Sequence, residues 1–317
     1  MIIRDLPPQP RRGAELVKRR DFLTTTAGMA FAGGLLATGA AAQDTGVLPE
    51  KARAVVWPDR DFPIIDAHAH MFHRSGSNWD ELDHKLIEAA DKLGIDQLCC
   101  SILTPKRPAT AEGFQECNRW MADDARRFPG RVLGYCYVNP QHRKEALEDI
   151  RRCVEEHGFI GVKLYNELRC TDPAVFPIVE LAIELKVPIL HHAGHSHAFN
   201  ESQPNISDGA HFSELAKRYP EAMIICGHIG GGGDWEWQIK ALRNAPSVYL
   251  DTSGSVIDEG IVEMCVEVLG PERVLFACDN SMTAGMGKLL GARLNETDRR
   301  NILGRNMAGI LGKRETT

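Results

Sequence analysis

Eight short apolar runs, separated by stretches whose apolar residues recur at helical spacing, constrain this chain more than any other feature. The runs cover Phe62 to His70, Ile95 to Leu103, Arg131 to Val138, Phe159 to Tyr165, Val187 to His192, Met223 to His228, Val248 to Thr252 and Val274 to Asp279. Between them Trp79 to Leu93, Arg143 to His157, Ala174 to Leu185 and Ile261 to Leu269 carry the three-and-four spacing of amphipathic helices. Spacers that hold a helix suit parallel strands and not hairpins. Eight such units predict an α/β fold, a (β/α)8 TIM-like barrel, as a single domain over residues 62–317. An open doubly wound sheet is the competing arrangement, but no glycine-rich dinucleotide fingerprint follows the first run. In such a barrel the polar residues at the C-terminal strand ends line the working face, so chemistry is sought there.

The first strand ends Asp66-Ala67-His68-Ala69-His70. Alternate strand residues point the same way, which puts His68 and His70 on one face roughly 6.6 Å apart at the backbone. Ala67 and Ala69 are then expected to face outward beneath a helix. Asp66, on the histidine side, is expected to orient His68 or His70. An isolated His-x-His pair seldom binds anything, so the other strand ends decide. Strand five ends His191-His192-Ala193-Gly194, strand six Gly227-His228-Ile229, and strand eight Cys278-Asp279-Asn280. Three imidazoles and a carboxylate on one rim make a shell for one divalent metal, Zn²⁺ first, with Mn²⁺, Fe²⁺ or Co²⁺ also fitting, and leave a position for water. His191 and His192 are strand neighbours that face opposite ways, so only one of them enters the barrel.

The N-terminus is of another kind. Lys18-Arg19-Arg20-Asp21-Phe22-Leu23 precedes a weakly apolar, Ala/Gly/Thr-rich run that closes on Ala40-Ala41-Ala42-Gln43. Paired arginines, weak hydrophobicity and a small-residue cleavage site resemble a bacterial twin-arginine export signal over residues 1–42. That resemblance implies contact with the twin-arginine export machinery and a periplasmic or otherwise exported product. Residues 43–61 form a lead segment. The formal net charge of the whole chain is −6, and the part beyond residue 42 is more acidic still, because residues 1–42 carry six basic and three acidic side chains. No basic patch argues for nucleic acid. The nine cysteines are an odd number without a CxxC pair, which excludes a complete intramolecular disulfide framework. Most sit in apolar runs, as small buried hydrophobes do. A small-molecule substrate is the expected partner, and a homodimer is compatible with the sequence.

The ordered set of motifs is similar to the amidohydrolase superfamily, in its amidohydrolase-2 group, whose relatives include aminocarboxymuconate-semialdehyde decarboxylase. The likeness spans DAHAH, Gly161-Val162-Lys163-Leu164-Tyr165, His192-Ala193-Gly194, Gly227-His228-Ile229-Gly230-Gly231, Tyr249-Leu250-Asp251-Thr252-Ser253-Gly254 and Arg273 to Asp279. The tail from Asn295 to Ala308 also resembles that family's closing helix. The resemblance implies His68, His70, His192 and Asp279 as metal ligands, with His228 as the catalytic imidazole near a bound water. His192 and not His191 matches the family's His-x-Gly pattern. Asp279 is implied a second, catalytic role, passing a proton to the leaving group. The implied activity is metal-dependent hydrolysis of a small organic acid, lactone, ester or amide. A non-oxidative decarboxylase of an unsaturated or aromatic acid is the alternative, and a periplasmic ligand-binding protein is an alternative of another class. Ala277-Cys278-Asp279-Asn280-Ser281 lacks the aromatic-proline pair that often follows this Asp in relatives, so the family's substrates do not carry over directly.

Lys163 is open to three readings: a carboxylated bridge between two metals, a substrate-facing ammonium, or a structural lysine. Arg74, Lys106, Arg107 and Arg169 fall in loops after strands and are candidates to hold a substrate carboxylate, and Asn139 ends strand three within reach of a substrate. His195, His197, His73 and His84 read as polar loop residues without a ligand role.

Overall fold

The structure is a computed structural model that describes residues 60–73, 76–104, 106–196, 201–229 and 231–313. The export signal, most of the lead segment, Arg74 and His197 lie outside the described residues. Among the described residues no helix is long and apolar enough to cross a membrane.

Strands β1 (Ile65–Met71), β2 (Gln97–Ile102), β3 (Val132–Tyr137), β4 (Gly161–Leu164), β5 (Ile189–His191), β6 (Ile224–Cys226), β7 (Val248–Asp251) and β8 (Val274–Leu275) pair in parallel in sequence order. Helices follow them: α1 (Trp79–Leu93), α2 (Ala111–Arg127), α3 (Arg143–Glu155), α4 (Phe176–Glu184), α5 (Gly209–Arg218), α6 (Trp235–Ala241), α7 (Ile261–Leu269) and α8 (Met282–Gly291). The tail adds α9 (Glu296–Arg300), a π-helical turn (Asn301–Arg305) and α10 (Asn306–Gly312). Backbone bonds from Ala67 N to Phe276 O (2.9 Å) and from Asp279 N to His68 O (2.8 Å) bring β8 back to β1. The result is the expected (β/α)8 barrel.

Two apolar layers hold it. Ile65, Ala67, Cys99, Tyr135, Leu190, Ile225, Leu275 and Ala277 fill the interior, and Met307 and Ile310 of α10 pack with them. A larger outer layer packs helices on strands, with Leu86, Met121, Ile150, Val179, Phe212 and Cys265 among its members. Gly161 is required by this packing. A Cβ there would stand 2.4 Å from Pro188 O and 3.0 Å from the Tyr135 ring.

One expectation about β1 fails. Ala67 faces the interior with Tyr135 and Leu275, whereas Ala69 belongs to the outer layer. The register against β2 slips between Asp66 and Ala69, so strict alternation breaks where the histidines begin. The interior at that level is occupied by the Tyr135 ring, whose hydroxyl donates to Ala67 O at 3.2 Å, and only a small residue fits beside it.

Candidate metal centre

The polar residues gather at the C-terminal strand ends. His70 Nε2 lies 3.2 Å and His68 Nε2 3.8 Å from Asp279 Oδ1. The ligand atoms of these three residues lie within 4.8 Å of one another, a spread that one ion can draw together. Asp279 keeps 33% of its side chain exposed, so the cluster opens to solvent. Asp279 and Asn280 carry left-handed φ values of 47° and 60°, and His228 one of 70°. Such conformations in residues with a Cβ are sparsely populated and cluster at working sites.

Each β1 imidazole is oriented from behind. His68 Nδ1 stands 2.8 Å from Asp251 Oδ2. An ionised carboxylate only accepts, so Nδ1 carries the proton and Nε2 turns its lone pair to the rim. His70 Nδ1 faces the carbonyl oxygen of Ser101 at 3.2 Å and its hydroxyl at 3.0 Å, with the same consequence for its Nε2. Asn280 clamps the strand end, donating to His70 O at 2.8 Å and accepting from His70 N at 2.9 Å.

Burial pushes the His68 imidazole down to about 3, helped by the nearby Lys163 charge. It lowers His70, His192 and His228 in the same direction. Burial alone would raise Asp279 and Asp251, but their polar contacts with the facing imidazoles outweigh it and hold both well below the usual carboxylate range. Neutral imidazole and ionised carboxylate are the ligating forms, so this donor set fits a divalent ion. Lys163 faces one of these lone pairs. Its ammonium is fully buried and donates to His68 Nε2 at 2.7 Å, so a cation already sits against the lone pair that a metal would take.

His192, also expected as a ligand, stands beside this cluster and outside the group whose ligand atoms lie within 4.8 Å of one another. Its Nδ1 is 2.9 Å from His228 Nε2, its Nε2 is 3.3 Å from Gln203 Oε1, and its ring stacks on Tyr165 at 4.1 Å. His228 lies between, with Nδ1 3.8 Å from Asp279 Oδ2. His191 faces the outer layer, its ring 5.5 Å from Phe212 of α5. Asp66 does not hold an imidazole. Its Oδ1 accepts from the backbone N–H groups of His68 and Cys278, each at 3.0 Å, and so fastens β1 to the end of β8. The orienting role expected of Asp66 belongs to Asp251, which ends its apolar strand just as Asp279 follows one.

Arg107 is exposed at the mouth, with its guanidinium carbon 3.3 Å from the centroid of Tyr165. It also reaches the hydroxyls of Tyr137 and Tyr165. Asn139 spends its side-chain oxygen on Gln141 N at 3.0 Å, capping a short 3-10 turn. Arg169 donates to Pro204 O at 2.8 Å in an exposed loop. His195 bonds Asp208 at 3.0 Å and stacks on Trp237, outside the centre. His73 bonds Asp124 at 2.8 Å and stacks on Trp79.

The sequence profile described as Amidohydrolase matches residues 65–312. The chain is 24% identical over 262 residues to the gamma-resorcylate decarboxylase of Polaromonas sp. (strain JS666 / ATCC BAA-500), covering 64% of this chain and 80% of that one. It is also 24% identical over 303 residues to the gamma-resorcylate decarboxylase of Rhodococcus jostii (strain RHA1), covering 75% and 92%. Among solved structures, a dihydroxybenzoic acid decarboxylase from Polaromonas sp. JS666, with bound manganese and the inhibitor 2-nitroresorcinol, superimposes with a TM-score of 0.62 at 18% identity, covering 79% of this chain and 97% of that one.

Proposed function

The chain belongs to the amidohydrolase family, and from that premise we propose that it is a metal-dependent carboxy-lyase, removing carbon dioxide from a small planar aromatic or unsaturated acid. The observation that carries this reading is the wall beside the cluster, where Tyr165 stacks on His192 and also bears the Arg107 guanidinium. A flat aromatic surface next to a cation complements a planar carboxylate. The decarboxylase activity of the relatives supports the same choice. Hydrolysis of an ester, lactone or amide, the leading expectation from sequence, has the support of family membership alone.

We assign His68, His70 and Asp279 to the ion, with His192 held beside them through His228. The ion, when bound, supplies positive charge that neutralises the substrate oxygens beside it. The manganese of the Polaromonas relative supports a harder ion than the zinc favoured from sequence, and nitrogen donors with one carboxylate oxygen accept either. Decarboxylation replaces a carboxylate with a proton on the same carbon, so a proton must be delivered. His228, neutral and 3.8 Å from Asp279, and the ionised Asp279 are the groups placed to relay it. Arg107 holds the substrate's acidic group, and Lys163 adds a second positive charge beside His68 Nε2.

Incubating the metal-loaded enzyme with hydroxylated benzoates, unsaturated acids, lactones, esters and amides tests the reaction. Carbon dioxide release from an acid, with Arg107→Met raising KM about 10- to 100-fold, as loss of a charge-assisted bond of about 1.5–3 kcal/mol requires, is the expected result. Turnover confined to esters, lactones or amides would refute the carboxy-lyase. Export by the twin-arginine route is proposed from residues 1–42, and undiminished export of an Arg19→Lys, Arg20→Lys double variant would contradict it.

A further inference from the structure

Asp251 ends β7 fully buried, and both of its oxygens are committed to the centre. Oδ2 accepts from His68 Nδ1 at 2.8 Å. Oδ1 accepts from His228 N at 2.9 Å, from Ser253 N at 2.9 Å and from Ser253 Oγ at 2.6 Å. Ser253 Oγ in turn lies 2.8 Å from His228 Nδ1. A serine hydroxyl has one proton, and here it goes to the carboxylate. Oγ must therefore accept from His228, which places that ring's proton on Nδ1 and leaves the lone pair on Nε2. His192 Nδ1 then donates to His228 Nε2 across 2.9 Å. The Oδ1 atom also anchors the N–H of His228, whose φ of 70° needs such support to persist.

We propose that Asp251 is a positioning residue that sets the tautomers of two rings at once, His68 directly and His228 through Ser253. One carboxylate thereby determines that His68 turns a lone pair to the ion site and that His228 turns its Nε2 lone pair to His192 and its Nδ1 proton to Ser253. Ser253 serves His228 first, with Oγ 2.8 Å from His228 Nδ1 and 3.5 Å from His68 Nδ1. The inference rests on the roles given above to His68 as ligand and His228 as proton relay.

Two substitutions separate the branches. Asp251→Asn keeps the shape but turns an N–H₂ or loses an acceptor toward one ring, so His68 is driven to carry its proton on Nε2. Ser253→Ala cuts the relay to His228 and leaves the Asp251–His68 bond intact. Imidazole ¹⁵N NMR of histidine-labelled, zinc-free enzyme reads which nitrogen of each ring is protonated, and chelator competition gives the zinc dissociation constant. Asp251→Asn is expected to weaken zinc about 10- to 100-fold and to change the tautomer of His68. Ser253→Ala is expected to keep zinc affinity within about 2-fold, release the Nδ1–H preference of His228 and lower kcat about 10-fold without moving KM, with Ser253→Thr restoring both. Wild-type tautomers in folded Ser253→Ala would overturn the relay even if Asp251→Asn fails to fold, and unchanged zinc affinity in folded Asp251→Asn would overturn the His68 branch. Tautomer changes as expected in an enzyme that releases no carbon dioxide would support the positioning role while refuting the proposed reaction.

Discussion

Replacing Arg127 with Met should destabilise the barrel by about 3 kcal/mol, with a deficit that grows with pH. Arg127, at the end of α2, donates from Nη1 to Asp83 Oδ2 at 2.9 Å and to Asp124 Oδ1 at 2.5 Å, and from Nη2 to Asp80. Asp83 and Asp124 are fully buried, whereas the arginine side chain keeps 24% exposure. The two carboxylates also hold the chain just beyond β1, because Asp83 accepts from Phe72 N at 2.7 Å and Asp124 bonds His73. Removing one partner of a buried ion pair costs about 3–5 kcal/mol, and water reaching the partly exposed guanidinium side places this case near the lower end. For a barrel of this size that corresponds to a fall in Tm of about 6–12 °C. Burial already raises the Asp124 carboxyl above its ordinary value. A carboxyl raised in the folded state favours folding in acid and disfavours it as pH climbs through the folded pKa. Without Arg127 the Asp124 carboxyl rises further, so the deficit should be larger at pH 8 than at pH 5. Urea unfolding of both proteins across that range checks this. A deficit below about 1 kcal/mol, or one independent of pH, would refute the reasoning.

Gly304→Ala should cost about 3 kcal/mol or more, because a Cβ there would stand 1.7 Å from Pro63 O, a backbone atom that cannot yield without moving the tail off β1. Gly309→Ala, with nothing within 4 Å, should instead stabilise by up to about 1 kcal/mol through helix propensity, and thermal melts compare the two. All nine cysteines are free and buried. Burial pushes the Cys99, Cys100, Cys136, Cys226 and Cys278 thiols far above their ordinary value. Ellman's reagent should find no fast thiol in the native protein and nine in denaturant without reductant, and fewer than nine would contradict the free state.

The barrel was legible because hydrophobic period and spacer length are properties of local sequence. The predicted bounds of α1 and α7 coincide with the observed helices. Strand ends were less so. The run from Val274 to Asp279 pairs as a strand only over Val274–Leu275, because its later residues leave the ladder to carry Asp279 and Asn280 in left-handed conformations. Residues past the last ladder bond take their direction from tertiary contacts, which explains why His192 came to rest against His228 and Tyr165. Asp251 was in view within the Tyr249 to Gly254 motif, yet an Asp before Thr-Ser-Gly reads equally as a turn residue. Only the 2.8 Å contact between the His68 and Asp251 side chains reveals its role. Asn139 shows the converse, a polar strand-end residue whose side chain caps the turn after it.

The central claim is that His68, His70 and Asp279 together hold one divalent ion. Metal analysis of the protein loaded with manganese or zinc and freed of excess tests it most directly, alongside His68→Ala, His70→Ala and Asp279→Asn variants confirmed to be folded. The account predicts about one equivalent in the parent protein and loss of most of it in each variant. Stoichiometric metal retained by all three variants, or none held by the parent, would contradict it.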